Sequence, residues 1–170
     1  MTTRYLLEYD CDLITAHLKS VLPGILSALR IQRNDPTVST EPPRSYFKYE
    51  KARGYEAPAV FVIGETMDFR QAEKGANHVN AESQVNVTVV VEDKSSELLQ
   101  KKSYRYMAAL HEALEQANLQ SSDQKLKIVV RVARAENSPL YSNAKDEKSA
   151  NAVFRKEVSL ICEVDHFENF

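Results

Sequence analysis

Tryptophan is missing from this chain, and glycine nearly so, with four glycines in 170 residues. None of the four falls in a GxGxxG or GxxxxGK arrangement, so the phosphate-cradling loops of dinucleotide- and triphosphate-binding proteins are absent. Cysteine is scarce too. Cys11 and Cys162 stand far apart, which excludes a disulfide framework and any zinc-ligand spacing and leaves two plain thiols. There is no excess of positive charge: 22 Lys and Arg face 24 Asp and Glu, and a net charge of −2 argues against a generic polyanion binder. No long apolar run occurs and the mean hydropathy is −0.43, which excludes a helical membrane span. Arg4, Glu8 and Asp10 break up the first ten residues, which therefore do not read as a secretory signal.

Catalytic constellations are equally thin. His17, His78, His111 and His166 are scattered, and His111-Glu112 lacks the second histidine of a zinc-protease helix. Cys162 and His166 share a strand face, but about 13 Å of rise separates them, too far for one metal ion. Asp10 and Asp12 flank Cys11 and read as charge at the start of a helix. No serine sits in a nucleophile-elbow pattern, and only a triad built from distant residues stays open. No catalytic residue, metal ligand or cofactor is assigned.

What is present is patterning. Leu13, Ile14, Leu18, Val21, Leu22, Ile25, Leu26 and Leu29 recur at helical spacing, predicting a helix over Leu6–Leu29 with a kink or break at Pro23-Gly24. A proline-marked loop, 34–43, leads to Arg44–Tyr55, where aromatic and basic residues interleave. That mixture is found in single-stranded nucleic-acid binders; the preferred reading is a short edge strand or helix covering the core. Residues 57–71 read as a strand with Phe61, Ile63, Met67 and Phe69 on one face. Val85, Val87, Val89 and Val91 alternate with polar residues in a partner strand over 81–92. Ser95-Ser96-Glu97 opens a second helix, in which Lys101, Lys102 and Arg105 are expected on a solvated face. Strands over 124–136 and 152–166 make a second hairpin. The order α-β-β-α-β-β defines an α+β fold with a mainly antiparallel sheet, long hairpins and helices packed on one face.

Strands of about a dozen residues span about 40 Å, more than a domain of this size needs. The expectation is one domain over 1–170 with hairpin arms at about 64–83 and 137–153 that project past the helices. The polar tips supply candidate subunit or tube contacts: Asp68, Arg70, Glu73 and Lys74 in one, Tyr141, Lys145, Asp146, Glu147 and Lys148 in the other.

The layout of an amphipathic N-terminal helix, the proline-marked strand start Ala57-Pro58-Ala59-Val60-Phe61-Val62, the strand Val85–Val91 running into a charged helix that ends Ala109-Leu110-His111-Glu112-Ala113-Leu114, and a final β-β unit with a polar insertion resembles the tail terminator (neck) proteins of long-tailed bacteriophages and tail-like particles. The match covers about Asp12 to Glu163 and rests on pattern rather than on a diagnostic motif. The resemblance implies a non-enzymatic virion protein assembled in the host cytoplasm. It implies a homo-oligomeric ring, a hexamer, that caps the tail tube protein, meets the head connector or adaptor protein, in some particles holds the sheath protein, and passes DNA through its channel without sequence-specific binding. The alternatives are another neck, head–tail joining or tail-completion protein, a small α+β enzyme or ligand-binding domain, and a nucleic-acid module using Arg44–Arg53.

Overall fold

The computed structural model describes residues 6–50, 54–69, 81–123, 126–142 and 152–168. Its elements in chain order are α1 (Leu6–Arg33), β1 (Ser45–Phe47), β2 (Ala59–Phe69), β3 (Ala81–Asp93), α2 (Ser96–Leu114), β4 (Ala117–Gln120), β5 (Leu126–Asn137), β6 (Tyr141–Ser142) and β7 (Phe154–Glu168). The strands form one sheet in the order β1-β2-β3-β7-β5-β4, with β6 beside β7. Every pairing is antiparallel except β1 with β2, which is parallel. Both helices pack on one face, giving the expected α+β arrangement. The short strands β1, β4 and β6 are additions that periodicity does not reveal.

The core lies between the helices and that face. The three-and-four spacing on α1 delivers Ile14, Leu18, Leu22 and Leu26, all fully buried, against Val60, Val62, Val85, Val87 and Val89 of the sheet. From α2 come Leu99, Tyr106, Leu110 and Leu114, which meet Leu160, Cys162 and Val164 of β7. Burying each such side chain contributes about 1.5–3 kcal/mol relative to leaving it in water. Ser95 caps α2, its side chain accepting from the Leu98 N–H at 3.3 Å.

Three expectations need correction. Helix α1 runs unbroken through Pro23 and continues to Arg33. Pro23, Gly24 and Lys19 all lie on the solvent side, so the Lys19 carbonyl that proline deprives of a donor faces water, while Leu18, Leu22 and Leu26 hold the helix to the sheet. Next, Phe61, Ile63 and Met67 do not share a face. One extra residue, Glu65, sits between the pairs Gly64↔Val85 and Thr66↔Gln84. This bulge reverses the alternation, so Phe61 and Ile63 point away from the helices and Met67 packs against the main core. Finally, Lys101, Lys102 and Arg105 do not form one solvated cluster. Lys101 pairs with Glu97 at 2.9 Å on the surface, and Lys102 is held by Asp93 at 2.9 Å. Arg105 is buried, donating to the Val38 carbonyl and the Asp35 carboxylate, both at 3.3 Å. With the Tyr106 hydroxyl, which donates to the Glu41 carbonyl, it pins the 34–43 loop to α2.

Candidate functional site

The distant-triad possibility has a concrete counterpart, and its geometry is not catalytic. Asp10 of α1, Ser83 of β3 and His166 of β7 meet inside the protein, each buried. Ser83 Oγ donates to Asp10 Oδ2 at 2.5 Å. His166 Nε2 donates to the same carboxylate, 2.9 Å from each oxygen, and Nδ1 donates to the Ala81 carbonyl at 2.8 Å. The serine therefore bonds to the carboxylate and not to the imidazole, and neither ring nitrogen is left to take its proton. Burial by itself pushes the imidazole pKa down. The hydrogen bond and charge of Asp10, the Ala81 carbonyl and the charge of Asp165 outweigh that and hold it above the usual value. The cluster is a buried hydrogen-bonded trio that ties the first helix to the last strand, not helix-terminal charge as Asp10 alone suggests.

The two thiols are unreactive. Burial, then the Asp10 charge, push Cys11 up to about 11, and burial with the Glu115 charge pushes Cys162 up to about 12. Among the described residues no group of three or more His, Cys, Asp or Glu is placed to hold a metal ion, and no helix is long and apolar enough to cross a membrane.

The interleaved aromatic and basic stretch resolves into an edge strand and a cleft. Tyr46 of β1 packs on the main core, while Phe47 turns to the open face and stacks on Phe61 with centroids 5.1 Å apart. Tyr55 meets Phe61 edge-on, also at 5.1 Å. The cations beside them are neutralised: Arg44 by Glu56 at 2.8 Å and Glu41 at 3.4 Å, Lys48 by Asp12. That leaves no free basic track for a nucleic-acid backbone among the described residues of this stretch. The aromatic floor instead belongs to an open cleft of about 340 Å³ bordered by Glu50, Glu65, Glu157 and Arg155. Arg155 lies over the Tyr55 ring, donates to its hydroxyl, and pairs with Glu157 at 3.0 Å.

Two of the candidate contacts, Asp68 and Tyr141, are separated by the length of the sheet. Asp68 is exposed near the end of β2, opposite Glu82 of β3. Tyr141, half exposed in β6, stands opposite Arg155, which pairs with Glu92 at the other end of β3. Ten residue steps along β3, from Glu82 to Glu92, separate those two points, about 33 Å of rise. Asp68 and Tyr141 thus stand at opposite ends of the sheet and do not make one patch. Arg70, Glu73, Lys74, Lys145, Asp146, Glu147 and Lys148 lie outside the described residues.

These features define a mostly antiparallel α+β protein whose helices cover one sheet face and, among the described residues, leave most of the other open. The same fold occurs in a chain of the solved structure "Virion of native gene transfer agent (GTA) particle", aligned over 94% of both chains at 14% identity with a TM-score of 0.52. A second solved structure aligns over 94% of this chain and 96% of its own at 17% identity, with a TM-score of 0.47. No protein-family model matches the sequence, and no curated protein does.

Proposed function

We propose that this chain is a structural protein of a phage-like particle, a tail terminator that assembles into a ring, stops growth of the tail tube and joins it to the head connector. The observation that carries the reading is the fold shared, over nearly the whole of both chains, with a chain of a gene transfer agent virion. The long strands support it. In β3 and β7, 13 and 15 residues run from one end of the sheet to the other, and the expected arms at about 64–83 and 137–153 would leave at opposite ends. In a ring, one arm then serves the tube side and the other the connector side. Six copies is the number that the tail-terminator resemblance implies. The middle of the open face, Gln84, Asn86, Thr88 and Ser159, is half-buried and uncharged. Facing the channel, it would let DNA slide without the phosphate contacts that cationic side chains make.

Particle mass at several protein concentrations, with negative-stain images, tests the reading. Six-fold rings with a central hole are the expected result, either alone or on purified tail tubes. A protein that stays monomeric and also fails to cap tubes overturns it. Rings that bind the head connector but never a tube would place the protein elsewhere in the neck.

A further inference from the structure

The sheet is closed along one side of β5 and open along most of the other. β7 pairs with β5 from Leu126 to Asn137, whereas β4 pairs only with residues 127–130. Past Val130 no strand among the described residues lies on that side. The backbone there still points outward. The Val132 N–H leaves the sheet and is met at 2.8 Å by the Glu115 carboxylate, a side chain standing where the carbonyl of a further strand would be. The Ser138 N–H, by contrast, bonds inward to the Glu157 carbonyl of β7 at 2.8 Å. Backbone groups alternate in direction along a strand, so Ala135 and Asn137 turn their N–H and carbonyl groups outward, as Val132 does. The extra residue Ala133, between the pairs Val132↔Cys162 and Arg134↔Ile161, accounts for the odd spacing.

The side chains of this margin differ between its two faces. Val132 and Ala135 stand opposite Cys162 and Leu160 of β7, which are fully buried on the helix side. Yet Val132 is half-buried and Ala135 exposed, because the helix layer stops short of the edge. On the other face Arg131 is held by Asp165 at 3.1 Å and Arg134 by Glu136 at 2.7 Å, so the charges there are already matched. Leu140 and Tyr141, 39% and 50% exposed, continue the margin where β6 takes over beside β7. No proline interrupts residues 131–137, and Ala133 and Ala135 are small enough for another backbone to come close.

We propose that residues 131–137 take up an extended segment of another protein as an additional strand, in line with β4. The outward groups of Ala135 and Asn137 supply the backbone bonds. The segment carries apolar side chains at the positions that face the helices, where they cover Val132 and Ala135, and uncharged polar ones at the positions between. A second copy of this chain does not fit as the donor. Each edge of the sheet carries a short outer strand over part of its length, β1 on residues 59–61 of β2 and β4 on residues 127–130 of β5. Two complete sheets therefore cannot lie flush edge to edge, while a lone strand can. The proposal goes beyond the tail-terminator reading and holds whichever place in a particle the chain takes.

The test uses the full chain, isotope-labelled for nuclear magnetic resonance, and a synthetic peptide of about seven residues in which valine and threonine alternate. At millimolar concentration the peptide should shift the amide signals of residues 132–137 and slow hydrogen exchange at Ala135 and Asn137. Ala135→Pro removes an outward donor and no bond of the sheet, and should weaken peptide binding by about tenfold or more. A second measurement leaves the protein untouched. An added strand bonds to the edge through one of its two alternating sets of amides, so of two peptides, N-methylated at the valines or at the threonines, one should lose binding and the other keep it. No change at residues 132–137, changes along β2 instead, or equal behaviour of the two methylated peptides overturns the site. Shifts of the same amides with protein concentration alone, abolished by Ala135→Pro, would make a second copy the occupant and overturn the choice of a foreign segment.

Discussion

His166 and Asp10 are 156 residues apart in the chain, yet the imidazole Nε2 lies 2.9 Å from both carboxylate oxygens with neither side chain reached by water. Replacing His166 by alanine leaves that carboxylate buried beside only Ser83 and is expected to cost about 3–5 kcal/mol. Urea denaturation of His166→Ala against wild type measures it, and a loss under about 1 kcal/mol would show that the pair contributes little.

The pH dependence of that contribution has a definite sign. The folded protein holds His166 above its usual pKa, so folding favours the protonated imidazole. The stabilisation is complete below about 6.5, the unfolded value, and is lost as pH rises through the folded value. The stability gap between wild type and His166→Phe should therefore be widest in mild acid and narrow in alkali. A gap that widens with rising pH would contradict the assignment.

Leu7 of α1 lies directly on Gly64 of β2: a Cβ there would overlap the Leu7 side chain. Leu7 is flexible and half-exposed, so Gly64→Ala is expected to fall at the low end of the usual overpacking cost of about 1–3 kcal/mol. Adding Leu7→Ala should recover most of it. Thermal unfolding of the single and double variants checks the coupling.

Arg105 fastens the 34–43 loop through two hydrogen bonds from a buried guanidinium. Arg105→Met should cost about 1.5–3 kcal/mol and open the loop to limited proteolysis between residues 34 and 43. Cleavage at the wild-type rate would mean that Val38 and Tyr106 hold the loop unaided.

Deleting residues 142–149 should weaken ring or tail assembly and leave the thermal transition of the domain in place. The deletion takes Ser142, the last residue of β6, and leaves β7 and both helices intact. Tails and oligomers formed at normal yield would remove this arm from the assembly contacts.

The elements with a strong repeat were legible from the amino-acid sequence. The alternating valines of β3 and the three-and-four spacing of α1 and α2 are local patterns, and they place the core correctly. Three things had no local signal. The bulge at Glu65 changes which residues face the helices without changing their identity, so Phe61 and Met67 look like one stripe when they are not. Strand β4 is four residues long, too short for periodicity, and follows a turn at Gln116, whose φ is 59°. The Asp10–Ser83–His166 cluster draws one residue from each of three elements. Each residue taken singly has an ordinary surface explanation, and only the sheet order brings them together. The cleft was half legible: Tyr55 and the Arg44–Tyr55 stretch, which includes Glu50, stood out, but the other two rim carboxylates, Glu65 and Glu157, come from β2 and β7, which the linear order keeps apart.

Strand β7 lies between β3 and β5 in the middle of the sheet, although it follows every other element in the chain. A ribosome making this protein therefore holds all the outer pieces before the one that unites them has emerged. Until then β3 and β5 have no shared neighbour and the cleft lacks Arg155 and Glu157. The two halves of the sheet therefore join only once β7 has been made, and the closing of the sheet waits on the last of these elements.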